Sequence, residues 1–187
     1  MPINYCIRCT LPHHLCVCAS APQIILPKKC SLLFHPREIQ KRNSSGRLLR
    51  MCSDVHATTW HRLKNQPLAS QFGDYCLIYP HSAGADAPPI NEEAYAGYLW
   101  IDSTWQQSQK MLSQSPWLRH LPRKTMQGPA SGYKLRRNQK EGGLSTLESL
   151  AYWLEAEKRP AAAKELLQFF HIFQDAFLKA RLAGLLK

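Results

Sequence analysis

The sequence predicts an α/β domain on a mostly parallel sheet, with a small metal-binding module ahead of it. Three observations lead there. Short apolar runs of strand type recur along the chain, helical patterns fall between and after them, and four cysteines crowd into thirteen residues near the N-terminus.

The first element runs from Cys6 to about Pro27. It is rich in Cys and Pro, has neither a helical nor a strand period, and holds four of the seven cysteines, so a stapled loop module over residues 1–27 is expected, followed by the α/β domain over 28–187. Cys6-x2-Cys9 and Cys16-x-Cys18 supply the four thiolates of a closed tetrahedral zinc site. With no open position, such a metal is structural. His13 or His14 can stand in for one thiolate.

Strand-type runs follow at Ser31–Phe34, Tyr75–Tyr79 and Tyr98–Ile101, each ending in a polar or Pro-containing turn. Helical patterns cover about Gly46 to Thr58, Thr104 to Ser113, Thr146 to Glu157, and Pro160 toward Arg181. In the last of these, Leu166, Phe169, Phe170, Phe173 and Phe177 recur every three or four residues, which predicts a core-facing stripe. Cys30, Cys52 and Cys76 sit in or beside apolar segments and read as buried small hydrophobes. The Ala-, Gly- and Pro-rich stretch from His81 to Pro89 reads as a mobile surface loop.

At 187 residues, 44% hydrophobic and 20% charged, with five Trp, the chain has the profile of a globular protein and not a disordered one. No apolar run is long enough to span a bilayer, and the start shows no charged segment leading into an apolar one, so a cytoplasmic protein with reduced thiols is expected. Its 24 Lys and Arg against 13 Asp and Glu give a net charge of +11 and a pI near 9.5. Glu38 is the only acid before Asp54, against eight basic residues, and no acid lies between Asp102 and Glu141. Two basic stretches, one with a single acid and one with none, point to a phosphate track on nucleic acid.

Asp102-Ser103-Thr104-Trp105 directly follows a predicted strand. Ser103 and Gln106 have the spacing of a capping box, which puts Asp102 at a strand's carboxyl end beside a helix N-terminus, where open α/β sheets bind ligands. Asp102 there is either a base or cation-holding group, or the helix N-cap itself. Ser145-x-x-Glu148 is a second capping-box spacing.

The chain resembles the DTW-domain tRNA-uridine aminocarboxypropyltransferases, whose motif Asp-x-Thr-Trp stands at Asp102 to Trp105. The likeness extends to Cys6-x2-Cys9-x6-Cys16-x-Cys18, to His35-Pro36-Arg37-Glu38 with Gly46-Arg47-Leu48, to Tyr79-Pro80, to Ser131-x-Tyr133-x-x-Arg136, and to Leu144-Ser145-Thr146-x-Glu148. It departs at Asn43-Ser44-Ser45-Gly46, where the family usually has Thr-Asn-Thr-Gly, with Gly46 expected to make a turn.

The resemblance implies a SPOUT-like sheet whose C-terminal part forms a trefoil knot around S-adenosylmethionine. It implies that the cofactor lies among Tyr79-Pro80, the stretch Ile101, Asp102, Ser103, Thr104 and Trp105, and the stretch Leu144, Ser145 and Thr146, with Tyr133 and Arg136 from the C-terminal block. The implied reaction is transfer of a 3-amino-3-carboxypropyl group to N3 of a tRNA uridine, in the variable loop, with release of methylthioadenosine. Asp102 is the candidate base, or else orients the cofactor.

For RNA the candidates are Arg37, Lys41, Arg42, Arg47 and Arg50, with Arg123, Lys124, Lys134 and Arg137. His35 and Glu38 are expected to pair with each other or with Arg in the interior of the fold. Rival readings are a knotted RNA methyltransferase, a non-enzymatic zinc-containing RNA-binding protein, and the same transfer onto rRNA. No membrane association and no obligate protein partner are implied.

Overall fold

The computed structural model describes residues 4–63, 65–80, 94–135 and 143–186. The predicted loop at His81 to Pro89 lies outside the described residues, as do Arg136 and Arg137. Two compact units form: Met1–Ile25 with Lys41–Asp54 and Gly128–Lys187, and Leu26–Gln40 with Val55–Gln127.

The second unit contains the sheet. Strands β1 (Cys30–Phe34), β2 (His56–Thr59), β3 (Tyr75–Ile78), β4 (Gly97–Asp102) and β5 (Arg123–Lys124) lie in the order β2-β1-β4-β3-β5. Every pairing is parallel, with Phe34 opposite Asp102 and Cys76 opposite Tyr98. The expected mostly parallel α/β sheet is therefore present. In β1, β3 and β4 nearly every side chain on both faces is buried, as a covered parallel sheet requires, while β2 and β5 are partly exposed. Leu33, Leu77 and Leu99 join Phe72 of α2 (Asn65–Phe72), Met111 and Leu112 of α3 (Trp105–Gln114), and Leu118 of α4 (Pro116–His120) in one core. Gly97 opens β4 because an added Cβ would stand 2.8 Å from the Lys29 carbonyl oxygen.

The first unit contains the cysteine module and three helices, α1 (Ser45–Cys52), α5 (Thr146–Ala156) and α6 (Pro160–Leu182). The phenylalanine stripe on α6 is buried, with Phe173 and Phe177 5.8 Å apart between ring centres. Trp153, Leu147 and Leu150 of α5 are buried as well. Lys158, at φ 59°, closes α5 in the left-handed conformation, and Pro160 opens α6 at a position where its missing N–H costs nothing.

Three expectations need correction. The helix expected from Gly46 to Thr58 ends at Cys52, because His56 to Thr59 pair with β1 as an edge strand. Gly46 makes no turn; it lies inside the first turn of α1, whose N-cap is Ser44 accepting from the Arg47 N–H at 3.2 Å. The cap of α3 is Thr104, not Ser103 or Asp102, with Gln107 as its reciprocal partner. Strand β4 continues through Asp102, whose carbonyl accepts from the His35 N–H at 3.1 Å. Only beyond Ser103 is the backbone free to start a helix.

Candidate functional site

The four N-terminal cysteines converge. Their sulfurs all lie within 4.8 Å of one another, with Cys6 to Cys18 at 3.6 Å and Cys9 to Cys16 at 3.7 Å. Tetrahedral zinc with Zn–S bonds of about 2.3 Å separates its sulfurs by about 3.8 Å, so the cluster fits that ion. His13 and His14 are exposed on a single 3-10 turn and do not belong to the cluster. Burial works to raise the Cys6 thiol, but the Cys9 and Arg8 amides and the neighbouring thiols outweigh it and hold Cys6 at about 6. Burial raises Cys9 and Cys18. Cys52, by contrast, is pushed up to about 12 by burial, and Cys30 and Cys76 are also buried, as small core residues should be.

Because all five strands are parallel, their carboxyl ends share one edge of the sheet. Asp102 ends β4 there with Ser103 just beyond it, Tyr79 and Pro80 follow β3, and Arg123 and Lys124 form β5. Asp102 is buried at 4% exposure and Ser103 at 9%. Tyr79 stacks on Trp105, with ring centres 5.6 Å apart and planes 6° from parallel. The Ser108 hydroxyl donates to the Trp105 carbonyl at 2.8 Å, so the Tyr79 hydroxyl donates to Ser108 Oγ at 2.8 Å and accepts from Gln109 Nε2 at 2.8 Å. Burial raises the Tyr79 hydroxyl above its ordinary range. The Arg123 guanidinium lies 5.7 Å from the Tyr79 ring centre. Trp105 stays 42% exposed, so the pair presents an aromatic surface at the strand ends. Ile101 packs half-buried on the core below.

Ser108 and Gln109 escaped sequence reasoning. Their spacing from Trp105, three and four residues, was the available signal, since it puts all three on one face of α3.

In the other unit, the C-terminal block is organised by Glu148, which is 3% exposed. One carboxyl oxygen accepts from Ser131 Oγ at 2.6 Å and from the Ser145 N–H at 2.8 Å; the other accepts from the Gly132 N–H at 2.8 Å. Ser145 caps α5 as its spacing predicts, and Thr146 opens the helix. Leu144 is half-buried just ahead of it. The Tyr133 hydroxyl donates to the Asn43 carbonyl, and its ring packs 5.2 Å from that of Phe170. The Lys134 N–H donates to Gln174 at 2.7 Å.

The basic candidates differ in how they are held. Arg37, Lys41, Arg42, Arg50 and Lys134 are exposed, while Arg123 and Lys124 are half-buried. Lys124 lies 6.0 Å from the Tyr98 ring centre, and Arg42 4.1 Å from that of Tyr5. Arg47 is half-buried and its Nη2 donates to the Cys9 and Arg42 carbonyls and to Thr10 Oγ1 at 3.0, 3.1 and 2.6 Å. Burial lowers its guanidinium from the ordinary value, opposed by the nearby Cys9 sulfur. His35 stacks on Trp60 with ring centres 6.0 Å apart, its carbonyl accepts from the Glu38 N–H at 2.8 Å, and Glu38 is buried.

These features define an α/β protein with polar and aromatic groups at the carboxyl edge of a parallel sheet and a cluster of four thiols that could hold a metal ion. The chain belongs to the DTW domain family, which matches residues 3–178. It is similar to tRNA-uridine aminocarboxypropyltransferase 2 of Drosophila melanogaster, 26% identical over 185 residues that cover 90% of this chain and 72% of the relative. No solved structure matches it significantly. Among the described residues no helix is long and apolar enough to cross a membrane.

Proposed function

We propose that this protein modifies tRNA, transferring the 3-amino-3-carboxypropyl group of S-adenosylmethionine to N3 of a uridine. The observation that carries this reading is the family's Asp-x-Thr-Trp segment at the end of β4, with Asp102 buried and Trp105 stacked on Tyr79. The Drosophila relative, named as a tRNA-uridine aminocarboxypropyltransferase and covered over 72% of its length, supports it. The net charge of +11 suits a polyanionic substrate.

The donor's chemistry suits the carboxyl edge. A sulfonium that also carries an ammonium group needs an anion and an aromatic face, and Asp102 and Trp105 offer them three residues apart. When bound, S-adenosylmethionine supplies an electrophilic γ-carbon and a leaving group that departs as methylthioadenosine. Asp102 would serve as the base that takes the N3 proton of uridine. Tyr79, held by Ser108 and Gln109, fixes the Trp105 ring, which would orient the donor by proximity alone. From the family resemblance, Leu144, Ser145, Thr146, Tyr133 and Arg136 are further donor-binding candidates in this reading, which includes the SPOUT-type knot and a division of the chain near residue 27. Zinc holds the cysteine module in shape. Arg37, Lys41, Arg42, Arg50, Arg123, Lys124, Lys134 and Arg137 track the phosphates, and the protein works in the cytoplasm.

The test is nucleoside mass spectrometry of unmodified tRNA incubated with the protein and S-adenosylmethionine. Aminocarboxypropyl-uridine supports the reading. Asp102→Asn should lower kcat by about 100-fold. An unchanged rate removes Asp102 from the role of base.

A further inference from the structure

The Cys6–Thr10 knuckle contains a strained residue. Thr10 follows Cys9 at φ 60°, a left-handed conformation unfavourable for a β-branched side chain. It is held by its N–H on the Cys6 carbonyl at 2.8 Å and its hydroxyl on the Cys9 carbonyl at 2.7 Å. The third hold is Arg47 Nη2, on both the Thr10 hydroxyl and the Cys9 carbonyl. Arg47 reaches there from the first turn of α1, where its own N–H is capped by Ser44.

Among the described residues no carboxylate answers the charge on Arg47. All its hydrogen bonds go to neutral acceptors, and its Nε is buried without a partner. No Asp or Glu occurs before Glu38 or from residue 41 to residue 53. A half-buried guanidinium without a counter-ion is unfavourable. Four thiolates around a divalent cation leave a dianionic centre, and that centre contains Cys9, whose carbonyl Arg47 grips.

We propose that Arg47 is the counter-charge and positioning residue of the four-cysteine metal centre, tying metal occupancy to the N-terminus of α1. It rests on reading the cysteines as a metal site. A bound metal balances Arg47 and, through it, keeps Thr10 in its strained turn and fixes the Arg42 carbonyl. Loss of the metal leaves the cation uncompensated and loosens residues 42–47.

The experiment is zinc competition against a chromophoric chelator, with cobalt absorption as an independent readout, on the full chain and its variants. Arg47→Met should weaken zinc by about 10- to 100-fold, the usual range for a lost outer-shell partner, with Arg47→Lys in between. Cobalt should keep its tetrahedral four-thiolate spectrum in each, because the ligands are untouched. Lys164→Met, an exposed cation on α6, should bind zinc as the parent does. If Arg47→Met does not fold, Arg47→Lys decides. Either folded variant binding zinc as tightly as the parent overturns the proposal, as does an equal loss in Lys164→Met. A parent protein without the cobalt–thiolate spectrum overturns the metal site itself.

Discussion

Two helices begin with the same device and use it differently. At α3, Thr104 and Gln107 form a capping box in which Gln107 Oε1 accepts from the Thr104 N–H at 2.8 Å. At α5, Ser145 and Glu148 form the same box, but Glu148 also accepts from Ser131 and Gly132. The first box closes on its own helix. The second fastens a segment sixteen and seventeen residues upstream, leading into the family's C-terminal block. A motif that reads as local in sequence has become tertiary because a carboxyl group has acceptor capacity left after the cap is made.

The comparison predicts unequal costs. Glu148→Ala should be the most damaging, at about 3 kcal/mol, since it strips acceptors from three donors at once. Glu148→Gln should fall between this and the parent, because one side of the amide turns a donor toward a donor. Urea unfolding measures both, and a loss under about 1 kcal/mol for Glu148→Ala would erase the distinction. Ser145→Ala should cost about 1.5 kcal/mol, near the upper part of the N-cap range because the cap is buried. At the other site, Tyr79→Phe should cost about 1 kcal/mol through its bonds to Ser108 and Gln109.

Tyr79→Phe should also alter the alkaline limb of stability. A tyrosine raised above its ordinary value of 10 keeps its proton when folded, so its contribution is complete below pH 10 and is lost as pH rises toward the folded value. The variant should lose less stability than the parent above pH 10, as thermal melts across alkaline buffers would show. Gln107→Ala should cost least, about 0.5 kcal/mol, because only a local cap partner is removed.

What the sequence revealed follows the same division between local and tertiary. Strands β1, β3 and β4 were legible because they are buried apolar runs, and α5 and α6 because their stripes and caps agree. Strand β2, His-Ala-Thr-Thr, carries no apolar run and forms only by pairing with β1 at the sheet edge. Strand β5 is two residues long and basic, too short for any pattern. The α3 cap was read one residue early because Ser103 and Thr104 both suit the role, and the decision falls to the pairing of Asp102 with Phe34. The cysteine cluster was legible from spacing alone. The grip of Arg47 on its knuckle was not, since thirty-eight residues separate Arg47 from Cys9.

The central claim is that the amino-acid arm of the donor, and not its methyl, is delivered to a uridine beside Asp102. Two preparations of S-adenosylmethionine, one labelled in the methyl and one in the aminocarboxypropyl carbons, test it on unmodified tRNA. The account predicts that only the arm label enters RNA, and that methylthioadenosine is released. Methyl label in the RNA, or no label from either preparation with folded, metal-loaded protein, would contradict it.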